Sequence, residues 1–166
     1  MAAASEAVFR RHAAADLPAM HEVRRAAYAP VWASFKALVG EEMWALALAT
    51  SEAEQAALLE TLCQGEKGEE VYVAEAAGEI AGFVAVLLNA ESGLGEIGLN
   101  AVAPAHAGRG LGSAMYAFAL ERMREAGMRG AWVSTGGDAS HAPARRAYEK
   151  AGFTASIPSV WMVRKL

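Results

Sequence analysis

One cysteine in 166 residues is too few for an internal disulfide, so the fold does not call for an oxidising compartment. That residue, Cys63, lies among Leu58, Leu59 and Leu62 in a helix-like stretch, where a packed thiol is expected rather than a nucleophile. No apolar run approaches the ~20 residues that cross a bilayer. The start, Met1-Ala2-Ala3-Ala4-Ser5-Glu6, also lacks the basic opening and apolar core of a secretory leader. A cytoplasmic protein without a membrane segment is therefore expected. Positive charge is scarce too: 15 Lys and Arg stand against 19 Asp and Glu, for a net charge of −4. A nucleic-acid partner demands a basic face, and the pairs Arg10-Arg11 and Arg24-Arg25 are too short to provide one; they read as solvated charge. No metal site is expected. The phosphate-loop pattern G-x-x-x-x-G-K-[ST] is missing as well, and Gly108, Gly110 and Gly112 give G-x-G-x-G rather than the dinucleotide fingerprint G-x-G-x-x-G.

What the chain has is apolar residues, 54% of the total, enough for a sizeable core in a single domain spanning 1–166. Alternation and turn residues predict strands at 7–12, 70–76, 80–89, 96–103, 130–135 and 159–164, with the second and third forming a hairpin around Ala77-Gly78-Glu79. Helical spacing predicts helices at 17–27, 113–126 and 142–151, the first capped by Asp16 with Pro18 in its first turn. A further helix to about Cys63 starts from Ser51 with Glu54 three residues on, a capping-box pattern. The order is mixed α/β.

Between the strand at 96–103 and the helix at 113–126 lies His106-Ala107-Gly108-Arg109-Gly110-Leu111-Gly112-Ser113, with glycine at alternate positions. Glycines let a ligand approach the backbone without a Cβ in the way, and the free N–H groups of a helix start attract an anion. About thirty residues on, a short strand leads into Asp138-Ala139-Ser140-His141-Ala142-Pro143-Ala144-Arg145-Arg146-Ala147-Tyr148-Glu149-Lys150-Ala151-Gly152-Phe153. Together these two segments resemble the GNAT N-acetyltransferase family. Its loop pattern Q/R-x-x-G-x-G/A falls on Ala107, Gly110 and Gly112. Its second pattern, N-x-x-A-x-x-L-Y-E-K-x-G-F, falls on His141, Ala144, Ala147, Tyr148, Glu149, Lys150, Gly152 and Phe153. Three positions depart from the family: Ala107 stands for Gln or Arg, His141 for Asn, and Ala147 for a bulky apolar residue.

The resemblance implies a mostly antiparallel central sheet flanked by helices, with central strands that splay apart. It implies acetyl-CoA as cosubstrate, held by Ala101, Val102, the loop residues Ala107, Gly108, Arg109, Gly110, Leu111, Gly112 and Ser113, and by His141 and Ala144. Arg145 and Arg146 could meet its phosphates or simply be surface charge. The acceptor implied is an amine, on a small molecule or on a peptide, with the small molecule favoured because no segment suggests a peptide groove. Tyr28 and Trp32 are expected to line its pocket, with Phe35, Trp44 and Trp161 as further candidates. A homodimer through the last strands is allowed.

Acetyl transfer needs a neutral amine, whereas an alkylamine carries a proton up to a pKa of about 10.4, so a group must accept that proton. Glu96 matches a glutamate that serves as general base in several family members; His21, Asp138 and His141 are the alternatives. Tyr148 matches the family's proton donor, and a phenol is protonated at neutral pH, ready for a departing thiolate. The N–H of Val102 is placed to polarise a thioester carbonyl, with Gly98 or Asn100 marking a bulge nearby. Two other classes remain open: an acyl-CoA sensor without turnover, and a structural domain whose glycine loop holds nothing.

Overall fold

The computed structural model describes residues 7–166. Five strands make one sheet in chain order: β1 (Val8–Arg11), β2 (Glu70–Ala76), β3 (Glu79–Asn89), β4 (Leu94–Val102) and β5 (Gly130–Val133). The first four are antiparallel neighbours, and β5 joins β4 in parallel. This is the mixed, mostly antiparallel sheet expected from the sequence. One face is covered by α1 (Leu17–Val39) and α3 (Ser51–Gln64), the other by α4 (Leu111–Glu125) and α5 (Ala142–Lys150). With both faces covered, β2 and β3 are buried along most of their length. Met20, Leu59, Val71, Val73 and Phe83 fill the first core and Val84, Val86, Ile97 and Met115 the second, all nearly or fully buried. Each such side chain contributes about 1.5–3 kcal/mol.

Several boundaries differ from the sequence reading. Helix α1 runs twelve residues past the predicted end at Ala27, with Pro30 inside it. An internal proline costs about 3 kcal/mol. The aromatic side chains of Tyr28, Trp32 and Phe35, which stack along one side of the helix, help to offset that cost. A short α2 (Glu41–Ala47) follows after Gly40, whose φ of 82° ends α1. Asp16 does not cap α1. Its carboxylate accepts instead from the Ala13 N–H at 2.7 Å and from both terminal nitrogens of Arg10 at 2.7 and 2.9 Å. Ser51 is the first residue of α3 rather than its cap; Thr50 precedes it without a side-chain cap, its hydroxyl donating to the Glu54 carboxylate at 2.7 Å. The expected strand at 159–164 is absent. Residues 159–164 run exposed and without a ladder, with the Trp161 ring against Phe35, and Lys165 beyond them pairs with Glu42 of α2. The alanine-rich start, residues 1–6, lies outside the described residues.

Two irregularities shape the middle of the sheet. Val84 faces Asn100 and Val86 faces Ile97, so Ala85 alone opposes both Gly98 and Leu99: a β-bulge at the predicted place. A Cβ on Gly98 would lie 2.5 Å from Leu87 Cδ1, so the residue with no side chain suits this crowded turn of the strand. On the other side, β5 pairs only with Leu94 to Ile97. Beyond the bulge β4 has no neighbour there, and the sheet splits.

Candidate active site

The split opens one edge of β4. The Ala103 N–H donates to the Ala81 carbonyl at 2.8 Å, so by the two-residue period Ala101 and Ala103 direct their backbone groups toward β3. Asn100 and Val102 direct theirs into the opening. Tyr28, from α1, donates its hydroxyl to the Asn100 carbonyl at 3.1 Å, and Trp32 stacks beside it with ring centroids 5.9 Å apart. The indole N–H of Trp32 is buried and has no partner among the described residues.

Asn100 is a hub that sequence reasoning took only for a bulge marker. Its side-chain amide donates to the Gly98 carbonyl at 2.9 Å and to the Tyr148 hydroxyl at 3.0 Å, and its oxygen accepts from the Tyr116 hydroxyl at 2.9 Å. The two tyrosine rings stack at 4.4 Å. Tyr148 is 5% exposed, and this burial raises its pKa against the opposing effect of the Tyr116 hydroxyl and the Asn100 amide beside it. Because Tyr148 accepts from Asn100, its own proton is free to be donated. Tyr116 carried no local signal; only the packing of α4 on the sheet brings it here.

After β4 a single turn, Pro104–His106, leads to the glycine loop. Gly108 and Gly110 take φ of 73° and 88°, a left-handed region that favours glycine, and open space lies where a Cβ would stand on either. Helix α4 starts at Leu111, two residues before the predicted Ser113, and its first internal bond runs from the Ala114 N–H to the Gly110 carbonyl at 3.0 Å. The amides of Leu111, Gly112 and Ser113 therefore precede the helical ladder and are open to an anion. The Ala107 amide is already committed to the Pro104 carbonyl at 3.2 Å, and Arg109 is exposed.

Other candidates fall in distinct places. Glu96 sits between Leu87 of β3 and Trp132 of β5, in a groove of about 410 Å³ lined also by Leu88 and Leu94, with Lys67 and Glu69 at its rim. Burial alone raises its pKa. His141 and Ala144 stand at the start of α5, with Ala144 against the core beside Tyr148. Arg145 is held by the Gly136 and Asp138 carbonyls at 2.5 and 2.8 Å, whereas Arg146 is exposed. His21 faces Glu60 of α3 at 3.4 Å, away from the split. Phe35 stacks on His141 and touches Trp161, and Trp44 lies 6.4 Å from Trp32. The basic pairs are not free surface charge: Arg10 and Arg11 meet Asp16, Glu75 and Glu70, Arg25 meets Glu22, and Arg24 is buried against Gln55. Cys63 is partly buried, as a packed thiol would be. Among the described residues, no group of three or more His, Cys, Asp and Glu could hold a metal, and no helix is long and apolar enough to cross a membrane.

A split, mostly antiparallel sheet with a glycine loop leading into a helix defines the class: an α/β fold with an open central strand beside an anion-ready helix start. The sequence model of the acetyltransferase (GNAT) family matches residues 36–153, and the chain belongs to that family. No curated protein matches it in sequence. Among solved structures, a protein described as a GNAT-family acetyltransferase from Desulfovibrio desulfuricans superposes with a TM-score of 0.66 at 24% identity, over 91% of this chain and 87% of that one. A GNAT-family acetyltransferase from Brucella melitensis, solved with acetyl-CoA, gives 0.62 at 24% identity over 91% and 84%. The ribosomal-protein-S18-alanine N-acetyltransferase of Escherichia coli gives 0.65 at 19% identity over 91% and 79%. These likenesses show the same fold. The family uses acetyl-CoA, and the residues present fit it: the open amides of 111–113, the uncrowded Gly108 and Gly110 and the split edge of β4 suit a long ligand with a phosphate-bearing end.

Proposed function

We propose that the chain is a single-domain N-acetyltransferase that moves an acetyl group from acetyl-CoA to the amine of a small molecule by direct attack. The observation that carries this reading is the Tyr148 hydroxyl, held by Asn100 at the unpaired edge of β4 with its own proton free, directly upstream of the glycine loop. Bound acetyl-CoA supplies the thioester whose carbonyl carbon the amine attacks. The amides of Leu111, Gly112 and Ser113 bind pyrophosphate, while Val102 and Ala144 border the arm. The Val102 N–H faces the split and steadies the carbonyl oxygen as charge develops on it. Glu96 accepts a proton from the amine nitrogen, directly or through water. Its carboxyl, shifted upward by burial, is a stronger base than a solvated one. Tyr148 gives its proton to the departing sulfur. General acid and base groups of this kind each contribute about 10²–10⁴-fold. The groove beside Glu96, about 410 Å³, is of a size for a small amine rather than a peptide, and Tyr28 and Trp32 stand at the open edge of β4 where Tyr28 meets the Asn100 carbonyl.

Calorimetric titration with acetyl-CoA, then thiol release with a panel of amines, tests the reading. Micromolar binding, worth about 8 kcal/mol, and amine-dependent thiol release support it. Glu96→Gln and Tyr148→Phe should then lose about 10²-fold or more in rate while still binding acetyl-CoA. Binding with no amine turned over, and unchanged by either substitution, would point to an acyl-CoA sensor. No binding would remove the reading.

A further inference from the structure

The turn between β5 and α5 carries a side-chain pair that the reading above does not use. His141 Nδ1 lies 2.6 Å from Asp138 Oδ1, with both side chains largely buried. The other oxygen of Asp138 accepts from the Ser140 N–H at 3.0 Å, from the Ser140 hydroxyl, and from the hydroxyl of Ser34 on α1 at 3.0 Å. Burial alone would raise the Asp138 pKa, but these donors outweigh it and hold the carboxyl well below its ordinary range. An ionised carboxylate only accepts, so it fixes the proton on Nδ1 and leaves the lone pair on Nε2. Among the described residues Nε2 makes no hydrogen bond.

The backbone is shaped around this pair. A Cβ on Gly136 would stand 2.4 Å from His141 Nδ1 and 2.7 Å from Asp138 Oδ1, so glycine alone lets the chain close over it. Phe35 stacks on the imidazole at 5.8 Å and sets its plane. His141 and Tyr148 are seven residues apart, two turns, and so share one side of α5, the side that meets Asn100 in the split. On the α1 side Ser34 and Phe35 sit next to Tyr28 and Trp32, the wall facing the open edge of β4.

We propose that Asp138 and His141 form a second proton-accepting pair of this site, with Nε2 of His141 taking the proton of the incoming ammonium before attack. The inference rests on the acetyltransferase reading. An ammonium that becomes an amide nitrogen sheds two protons. The first passes to His141 Nε2, the imidazolium is stabilised by the Asp138 carboxylate, and that proton then leaves to water. As the C–N bond forms and the C–S bond breaks, the second passes to Glu96 and returns through solvent to Tyr148, which has protonated the sulfur. The net products are amide, thiol and one released proton. The charged groups facing His141 are Asp138 on its own turn and the Arg145 guanidinium of α5, which is bound to the Asp138 carbonyl. From α1 only the uncharged Ser34 and Phe35 meet the pair, and from the C-terminal segment Trp161 reaches Phe35.

The test uses the full chain, an amine that it acetylates, and the pH profile of kcat/KM. His141→Gln is expected to lose about 10²-fold in kcat/KM for the amine and to lose the acid limb of the profile, with acetyl-CoA affinity by calorimetry held within about twofold; free imidazole should restore part of the rate of His141→Ala. Asp138→Asn, which frees the tautomer, should lower kcat and move the same limb. Glu96→Gln, which leaves the pair intact, should keep that limb. The proposal is overturned if the limb survives in His141→Gln, if the limb vanishes in Glu96→Gln, or if the whole loss lies in acetyl-CoA binding. Absence of acetyl-CoA binding by the unaltered chain would instead overturn the acetyltransferase reading, and the pair's role with it.

Discussion

Replacing Asn100 with Ala removes three hydrogen bonds at once: to the Gly98 carbonyl at 2.9 Å, to the Tyr148 hydroxyl at 3.0 Å and from the Tyr116 hydroxyl at 2.9 Å. At about 1 kcal/mol net for each bond, the simple sum is about 3 kcal/mol. The two tyrosine rings already stack at 4.4 Å, however, so their hydroxyls can bond to each other once the amide is gone. One bond is recovered, and the expected loss is about 2 kcal/mol. For a chain of this length that corresponds to a fall in Tm of about 4–8 °C. Urea unfolding followed by tryptophan fluorescence measures it, with the slope m unchanged if only the native state is affected. Tyr116→Phe in the same background closes a double-mutant cycle, and the Asn100–Tyr116 coupling should be at least about 0.5 kcal/mol. An Asn100→Ala protein within about 0.5 kcal/mol of the parent, the scatter of ordinary surface changes, would refute the idea that the hub closes the split. Loss of the hub also frees Tyr148 from its position, so kcat for acetyl transfer should fall with stability.

Three further outcomes follow from single positions. Gly110→Val places a β-branched residue at φ 88°, which costs about 1–2 kcal/mol of stability, and puts a side chain in the open space over the loop; acetyl-CoA affinity by calorimetry should weaken by about tenfold or more, or about 1.4 kcal/mol. Asp16, whose pKa hydrogen bonding from Arg10 lowers from 3.8 to about 2, contributes stability that is fully present above about pH 4 and is lost as pH falls toward 2. Acid unfolding of Asp16→Asn should therefore be less steep in that window, and an identical acid profile would contradict the role of the Arg10 pair. Burial pushes the Cys63 thiol up to about 11, so iodoacetamide at pH 8 should label it about a hundredfold more slowly than a free cysteine thiol; labelling at the free rate would show the helix opening there.

Much of the site could be read locally. The glycine loop, the strand before it and the helix after it depend on spacing within some twenty residues, because backbone conformation and helical or strand period are properties of neighbours in the chain. Glu96 at the start of β4 and Tyr148 on α5 stand where the patterns put them. The hairpin of β2 and β3 around Ala77 and Gly78 likewise forms where the turn residues put it. What the sequence did not contain was partners. The bulge at Gly98 and Leu99 exists only because β3 runs opposite, and the split exists because β5 stops pairing after Ile97. Asn100 meets Tyr116 and Tyr148 across 16 and 48 residues, and Ser34 meets Asp138 across 104. The segment 159–164 has strand-forming side chains yet makes no strand, since a ladder requires a second backbone, and Val160, Trp161 and Met162 stand exposed with the Trp161 ring meeting Phe35 of α1. Local period thus marked most of the elements, β1 to β5 and the cores of α1, α3, α4 and α5, and where the loop lies. Only the tertiary structure decided which hydroxyl, amide and imidazole face one another, because hydrogen bonds across the split are set by sheet register and helix docking rather than by distance along the chain.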